Sequence, residues 1–497
     1  MIRILIFSQV FLLLIFSQAQ DSDISMSGGL GSITIDGEIY NQVSMRPEIP
    51  IGKLSIGLDF YLNINSKGEI HLIDYNFSNT KNTSRTIVDK IRFIKYGNKT
   101  DPFYFSFGNI DNLVVGNGIL INGYSNSLRY PSTRKLGFNV GSDFGKLGFE
   151  FFISDIKYEP GLIGGRLNYK IIPKLDFGFT VVSDINQYSG LENRDNDDYP
   201  DVYDHYPDNP KKWDEAQELR NDWFEVYEKY INPITTFDEW FLELPLNHNT
   251  FKPETSKINS ITGLSTDLNY SVNSKLIFYS QIATLFFGEG DVISKSDSSL
   301  ISNSFGVVPI GISYDFGSFK FLAEYRYNSR YFLFNFWDKS YELNRAVASL
   351  EGNENEILTK ENSLRNYGKM KGIYIQLTGN ILNLFNLTTS FNAMNGEVFS
   401  GFHGFGTKKN NSFSSVLSLN KNIIPKLKRA EAYYHQNNVP NPLNFEFTSS
   451  SIYGYIIGFK LSENMILQYK STTSFVMSSN GKYKPLNTIL VETQFAF

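Results

Sequence analysis

The chain has 497 residues, a formal net charge of -5 and no cysteine. Mild acidity and the lack of any long basic run exclude nucleic acid as a partner. The missing cysteines exclude a disulfide framework, a thiolate zinc site and a lipid-anchoring thiol. Phe and Tyr number 42 and 30 against 4 Trp, and mean hydropathy is -0.24, a composition suited to β structure that faces an apolar phase on one side only.

In chain order, residues 1–19 read as a cleaved export signal. Arg3 supplies the positive start, ILIFSQVFLLLIF the apolar core and Ser17-Gln18-Ala19 the small-x-small cleavage site. Ser8-Gln9 interrupts the apolar run before it reaches the roughly 20 residues that a membrane-anchoring helix needs.

Residues 20–187 and 257–497 carry a period of two. In Tyr453 to Leu461 the odd positions are large and apolar, and the even ones are small or polar except Ile456. Ile258 to Val272 sets Leu264, Leu268 and Tyr270 against Asn259, Ser265, Asp267 and Asn269. Segments of about ten residues match tilted membrane strands. Their connections alternate. Short ones fall at 143–146, 172–174, 272–275, 316–318 and 462–464, and long polar ones at 111–133, 188–256, 338–366 and 395–411. Sorting of this kind suits a single closed antiparallel transmembrane β-barrel, all-β, of about 16–20 strands. Both termini then lie on the periplasmic side, Lys174 to Ile185 runs outward, and 188–256 is an extracellular insertion.

The chain ends Val491-Glu-Thr-Gln-Phe495-Ala-Phe497. In this it resembles the bacterial outer-membrane β-barrel family, whose last strand typically finishes on an aromatic residue. That resemblance implies outer-membrane lipid as surroundings and recognition by the barrel-insertion machinery during biogenesis.

Within the insertion the period changes. Lys211 to Tyr230 places Trp213, Ala216, Leu219, Trp223, Val226, Tyr227 and Tyr230 at three- and four-residue spacings, with Pro210 at the start, which predicts an amphipathic helix. A second short helix is predicted from Thr236, with Glu239 completing a capping box. The polar face is mainly acidic, so packing on protein is favoured over a membrane surface, which prefers basic faces.

Just before the first helix, NRDNDDYPDVYDHYP (193–207) gathers five aspartates. Numbering Asn193 as position 1 puts oxygen donors at 1 (Asn193), 3 (Asp195), 5 (Asp197), 9 (Asp201) and 12 (Asp204), with the Tyr199 carbonyl at 7. This is a spacing by which a chain wraps Ca²⁺. The segment resembles a single thrombospondin type 3 repeat, which implies a structural calcium loop. It departs from the pattern in having Asp198 at the turn glycine and Asn193 at the first ligand.

No local catalytic motif occurs, and His71, His205, His248, His403 and His435 show no metal-ligand spacing. The charged residues that break the apolar alternation are lumen candidates: Lys90, Arg92, Arg166, Lys170, Glu324 and Arg326, then Lys369, Lys371, Lys470 and Glu492. Rings of such charge bias passage of solutes, or equally fill the bore with salt bridges that stiffen it. The stretch from Gly108 to Arg134, polar and Gly-rich, is expected to fold inward as a constriction or to lie across the rim.

The sequence therefore predicts a non-enzymatic outer-membrane barrel, porin-like, passing small solutes, with a Ca²⁺-stabilised helical insertion at one end. Two other classes stay open: a recognition, adhesion or assembly barrel with a closed lumen, and a lipid-directed hydrolase with dispersed residues.

Overall fold

A computed structural model describes residues 25–35, 38–70, 75, 77, 80–128, 134–157, 161–191, 193, 195, 197, 199–207, 209, 211–213, 259–288, 301–349, 356–399, 404–420, 424–462, 465–477 and 483–496. The export signal, the helices expected after Lys211 and from Thr236, Asp198 and the terminal Phe497 lie outside the described residues.

The main sheet closes on itself. Strand Ser25–Ile35 pairs antiparallel with Glu38–Ile51 on one side and with Tyr483–Ala496 on the other. Between them the strands follow chain order, giving a closed antiparallel barrel of 20 strands. The third is broken at Asp59 into Leu54–Leu58 and Phe60–Ile64, and the Asp59 amide there bonds the Lys90 carbonyl at 2.8 Å.

Tight turns gather at one end. Two of them, at 143–146 and 315–318, owe their shape to an Asp-x-Gly signal. Asp143 Oδ1 accepts from the Gly145 amide at 2.7 Å and Asp315 Oδ1 from the Gly317 amide at 2.6 Å. Both glycines hold positive φ, 86° and 91°, where a side chain would be strained. The opposite end carries the long connections 65–90, 109–136, 185–260 and 329–366. The expected long loop at 395–411 is corrected: strands Phe385–Phe399 and Phe405–Leu419 stay paired up to Phe399 and Phe405, because alternation continues through those polar residues.

Period two sorts the two faces. On strands Leu162–Ile172, Leu175–Asp184 and Ile261–Ser271, the outward set includes Leu167, Phe177, Phe179, Val181 and Leu268, all exposed, whereas Thr180, Asp184, Ser265 and Asp267 face in and are buried. A closed barrel with an apolar outside and a polar inside is stable where lipid covers the outside. The face sorting is accordingly that of a membrane-spanning barrel.

Ile373, half exposed on strand Tyr367–Ile381, tests this assignment. Ile373→Arg, two positions deeper than Lys371, should destabilise the barrel by about 1–3 kcal/mol, between the interfacial and midplane costs of arginine on a lipid face, measured by reversible urea unfolding in lipid vesicles. A neutral result would place this face away from lipid.

Candidate functional site

The bore is not an open tube. Residues 109–128 fold inward; their short strands Leu113–Val114 and Ile121–Tyr124 pair with each other, and Ile121–Tyr124 pairs in addition with Trp337–Asp338 from the loop 329–366. This inner sheet is a plug. Leu113, Ile119, Leu120, Ile121, Tyr124, Phe336 and Trp337 pack in one buried cluster with the inward residues Phe152, Leu162, Val182, Ile261 and Leu285 of the wall. At its tip, Gly116 sits at φ 59° with the Arg166 guanidinium against its α-carbon: a β-carbon there would lie 2.6 Å from Nη1. Asn117 Nδ2 donates to Asn269 Oδ1 of the wall at 2.8 Å, and Asn122 Nδ2 to the Tyr374 hydroxyl at 3.4 Å. Of the two placements open for the 108–134 stretch, the fold adopts the inward one. The apolar run Tyr331-Phe-Leu-Phe-Asn-Phe-Trp337, just before the polar loop expected at 338–366, was the signal for the second arm of the plug.

Buried charge locks the plug in place. Arg345, just after the short helix Tyr341–Asn344, clamps Asp184 at the end of its strand. Nε donates to Oδ2 at 2.6 Å and Nη2 to Oδ1 at 2.9 Å. The same guanidinium reaches the Asn186 carbonyl and Ser189 Oγ, each at 2.8 Å, and the Tyr341 hydroxyl donates to Asp184 at 2.6 Å. One arginine therefore joins wall, plug and the root of the insertion. Glu342 takes Lys135 at 2.5 Å and accepts from the Tyr124 hydroxyl. Burial alone would raise the Glu342 pKa, but the charges of Lys135 and Arg345 outweigh it and hold the carboxyl down at about 2.

The charges expected in the lumen have several placements. Arg166 faces in and forks onto Asp267, with Nη2 to Oδ1 at 2.9 Å. Glu324 and Arg326 pair at 2.6 Å beneath the plug, almost wholly buried, with the guanidinium over the Tyr374 and Phe334 rings. Glu492 meets Arg46, which also bonds Asp59 at 3.1 Å. Arg92 reaches Glu48 at 3.1 Å, and Lys170 lies near the short-turn rim 3.4 Å from Asp143. Lys90 precedes its strand and rests over the Tyr61 and Tyr75 rings. Lys470 is on the inward register, opposite Ile456. Lys369 and Lys371 are corrections. Both share a face with Ile373 and Ile375 and are exposed on the outside, near the long-loop end where lysine reaches the headgroups. Their inward neighbours Met370 and Tyr374 pack beneath the plug, so apolar residues occur on both faces and the alternation no longer marks the inside.

Of the calcium-type donors, the structure brings three together. One carboxylate oxygen each of Asp195, Asp197 and Asp204 lies within 4.8 Å of the others. Oδ1 atoms of the same residues accept from backbone amides two positions on: Asp197 at 3.1 Å, Tyr199 at 2.6 Å and Tyr206 at 2.7 Å. Asn193 Nδ2 donates to the Asp197 carbonyl at 2.8 Å, which turns its side chain toward the loop backbone. Asp201 starts a 3₁₀ turn, Asp201–Tyr203, and stands outside the carboxylate trio. The Tyr199 ring stacks on Trp213 at 5.1 Å. Below the loop, Tyr203 is buried against Ala346 and Ile357, members of the hairpin Ala346–Ser349 and Glu356–Thr359 that follows Arg345.

Among the described histidines, His435 faces inward on its strand with Nδ1 2.6 Å from Ser414 Oγ, and no carboxylate hydrogen-bonds its ring among the described residues.

No family model matches the chain, and no curated protein does. Solved structures that it resembles include Pseudomonas aeruginosa OccK5 (OpdH), at 9% identity over 96% of this chain and 98% of that one, TM-score 0.33. OccK3 (OpdO) of the same organism gives 8% identity, 96% of each chain and TM-score 0.35. The ferric enterobactin receptor PfeA of Pseudomonas aeruginosa gives 10%, 96% of this chain, 82% of that one and TM-score 0.34. Likenesses this distant carry no function across to this chain. What this lumen does must come from its own residues.

The Glu342 interaction carries a pH signature. Its folded pKa is lowered from 4.5 to about 2, so its stabilisation is present above pH 4.5 and is lost as pH falls through about 2. The shift corresponds to roughly 3 kcal/mol. Acid titration followed by Trp337 emission should show a red shift in that window, and Glu342→Gln should remove it. An identical transition in the variant would assign the acid response to another carboxylate.

Proposed function

We propose that this barrel is a porin-like conduit for small solutes across the bacterial outer membrane, its bore narrowed by the inward plug. The observation that carries this reading is the polar inner wall below the plug. Mainly polar side chains line the bore from the short-turn end up to the tip at Gly116, and a cavity of about 580 Å³ opens there. A water-filled wall of amides, hydroxyls and paired charges lets a polar solute exchange hydration for protein contacts as it passes. The dry packing around Trp337 and Phe336 favours one other reading, a recognition or assembly barrel whose lumen stays shut.

We further propose that Ca²⁺ is held by the 193–204 loop, stiffening the insertion at the long-loop end. Three carboxylates converging within 4.8 Å repel one another, and a hard divalent cation with oxygen ligands relieves that repulsion. Asp195, Asp197 and Asp204 would hold it, and the Tyr203 contact with the hairpin after Arg345 supports a purely structural role.

Two measurements decide. Reconstituted in planar bilayers, the full chain should conduct, and replacing residues 112–123 by a short Gly-Ser linker should raise unit conductance several-fold. Silence of both forms would exclude the conduit and leave the closed-lumen reading. For calcium, the Tyr199–Trp213 stack should make tryptophan emission respond to added Ca²⁺, and Asp195→Ala and Asp204→Ala should each abolish the response. An unaltered titration in either variant would remove the site.

A further inference from the structure

The vestibule beneath the plug has a lining whose chemistry selects a class of solute. Its roof is the plug tip, Val114, Gly116, Asn117 and Asn122, and its walls run down to the short turns at Lys99, Asp143 and Lys320. The cavity, about 580 Å³, lies inside the roughly 300–1,000 Å³ range of ligand sites.

Most of the charges in the lining are already matched. Lys99 reaches Glu150 at 2.7 Å, Asp101 lies 3.6 Å from Lys53, and Asp143 lies 3.4 Å from Lys170. Arg166 is committed in a fork to Asp267. Asp176 and Lys320, one of each sign, complete the set, so positive and negative groups are equal in number once the partners are counted. An anionic solute would have to compete with carboxylates for these cations, and a cationic one with the ammonium and guanidinium groups. Breaking the buried Arg166–Asp267 fork would leave a charge stranded, which is strongly unfavourable, whereas the exposed pairs at the short-turn rim serve to cancel each other's field.

What the lining does present is neutral hydrogen-bonding capacity. Asn117, Asn122, Asn168, Asn269 and Gln376 contribute amides, and Tyr104, Tyr279 and Tyr374 contribute phenols. Several form a chain that already fixes their orientation. Asn117 donates to Asn269 at 2.8 Å, Tyr374 to Gln376 at 2.8 Å, and Gln376 to Thr378 at 3.3 Å. An amide has two donors and an acceptor with two lone pairs, so each such contact uses only part of its capacity. Preoriented amides and phenols on a charge-balanced wall suit a ligand that is itself both donor and acceptor at many positions.

We propose that this vestibule binds a neutral, hydroxyl-rich solute of the short-oligosaccharide class. The proposal rests on the reading of the barrel as a conduit and names what it carries. The test is equilibrium dialysis of the full-length protein in detergent micelles against radiolabelled maltotriose and raffinose, with trigalacturonate as the anionic and the glucosamine trimer as the cationic comparison. A neutral trisaccharide should bind at least tenfold more tightly than either charged one. The double variant Asn117→Leu/Asn269→Leu should lose about tenfold in affinity for it, while keeping the heat-modifiable gel mobility of a closed barrel. Failure of both neutral sugars to bind, equal binding of a charged trimer, or unchanged affinity in a folded double variant would each overturn the proposal. Dialysis involves no current, so the two claims fail separately. Sugar binding by a barrel that never conducts would sink the conduit alone. Conductance without sugar binding would sink the vestibule alone.

Discussion

A barrel of 20 strands encloses more space than its own inward side chains can fill, and the organisation of this chain follows from that constraint. Segments of two long connections, 109–128 and 331–341, turn into the bore instead of leaving it. Once inside they bury Tyr124, Phe336 and Trp337 against Phe152, Leu162 and Ile261 of the wall. The wall is therefore apolar on both faces near the long-loop end and amphipathic lower down. Several backbone groups of the inner segments are paired, the Asn335 amide with the Ile119 carbonyl at 2.9 Å and the Trp337 amide with the Leu120 carbonyl at 3.1 Å. The three-stranded sheet of the plug pairs others.

Charge inside the barrel positions more than it stabilises. Removing a carboxylate and a guanidinium from water is expensive, and their attraction returns that energy only when geometry and further hydrogen bonds are good. Arg345 meets both conditions, with a fork on Asp184, the Asn186 carbonyl and Ser189 completing its set. Because those partners belong to the wall and to the root of the insertion, one side chain fixes the relative placement of three parts. Arg166 with Asp267 does the same near the plug tip, where the absence of a β-carbon at Gly116 lets the loop approach the guanidinium. Of the two roles that charge at inward positions can have, filling by ion pairs describes Arg166, Glu324, Arg326 and Glu492.

The plug and the acidic loop are neighbours through a short path. Tyr203 rests on Ala346 and Ile357, and Ala346 directly follows Arg345. The segment that carries Asp195, Asp197 and Asp204 is therefore joined to the plug's anchor. On the far side of the plug, the polar vestibule is built from wall residues whose inward register is set by strand pairing alone. The two regions have separate chemistry, one concentrating like charge and the other balancing it.

Sequence by itself determined the barrel. Alternation at Tyr453 to Leu461, the Asp-x-Gly turns and the long 188–256 insertion are local signals, because side-chain period and turn geometry depend on near neighbours. It also placed Asp195, Asp197 and Asp204 in one register, since their convergence needs only a tight loop. Tertiary structure alone decided which loops enter the bore. Nothing local distinguishes an inward loop from an outward one until the wall presents an apolar surface such as Leu162 and Ile261 to receive it. The same fact explains Lys369 and Lys371. Their parity with Ile373 was visible in the chain, but Met370 and Tyr374 on the other face obscured which side was lipid. That ambiguity is resolved only when the plug accounts for the apolar residues inside, because burial against protein and burial against lipid select the same side chains.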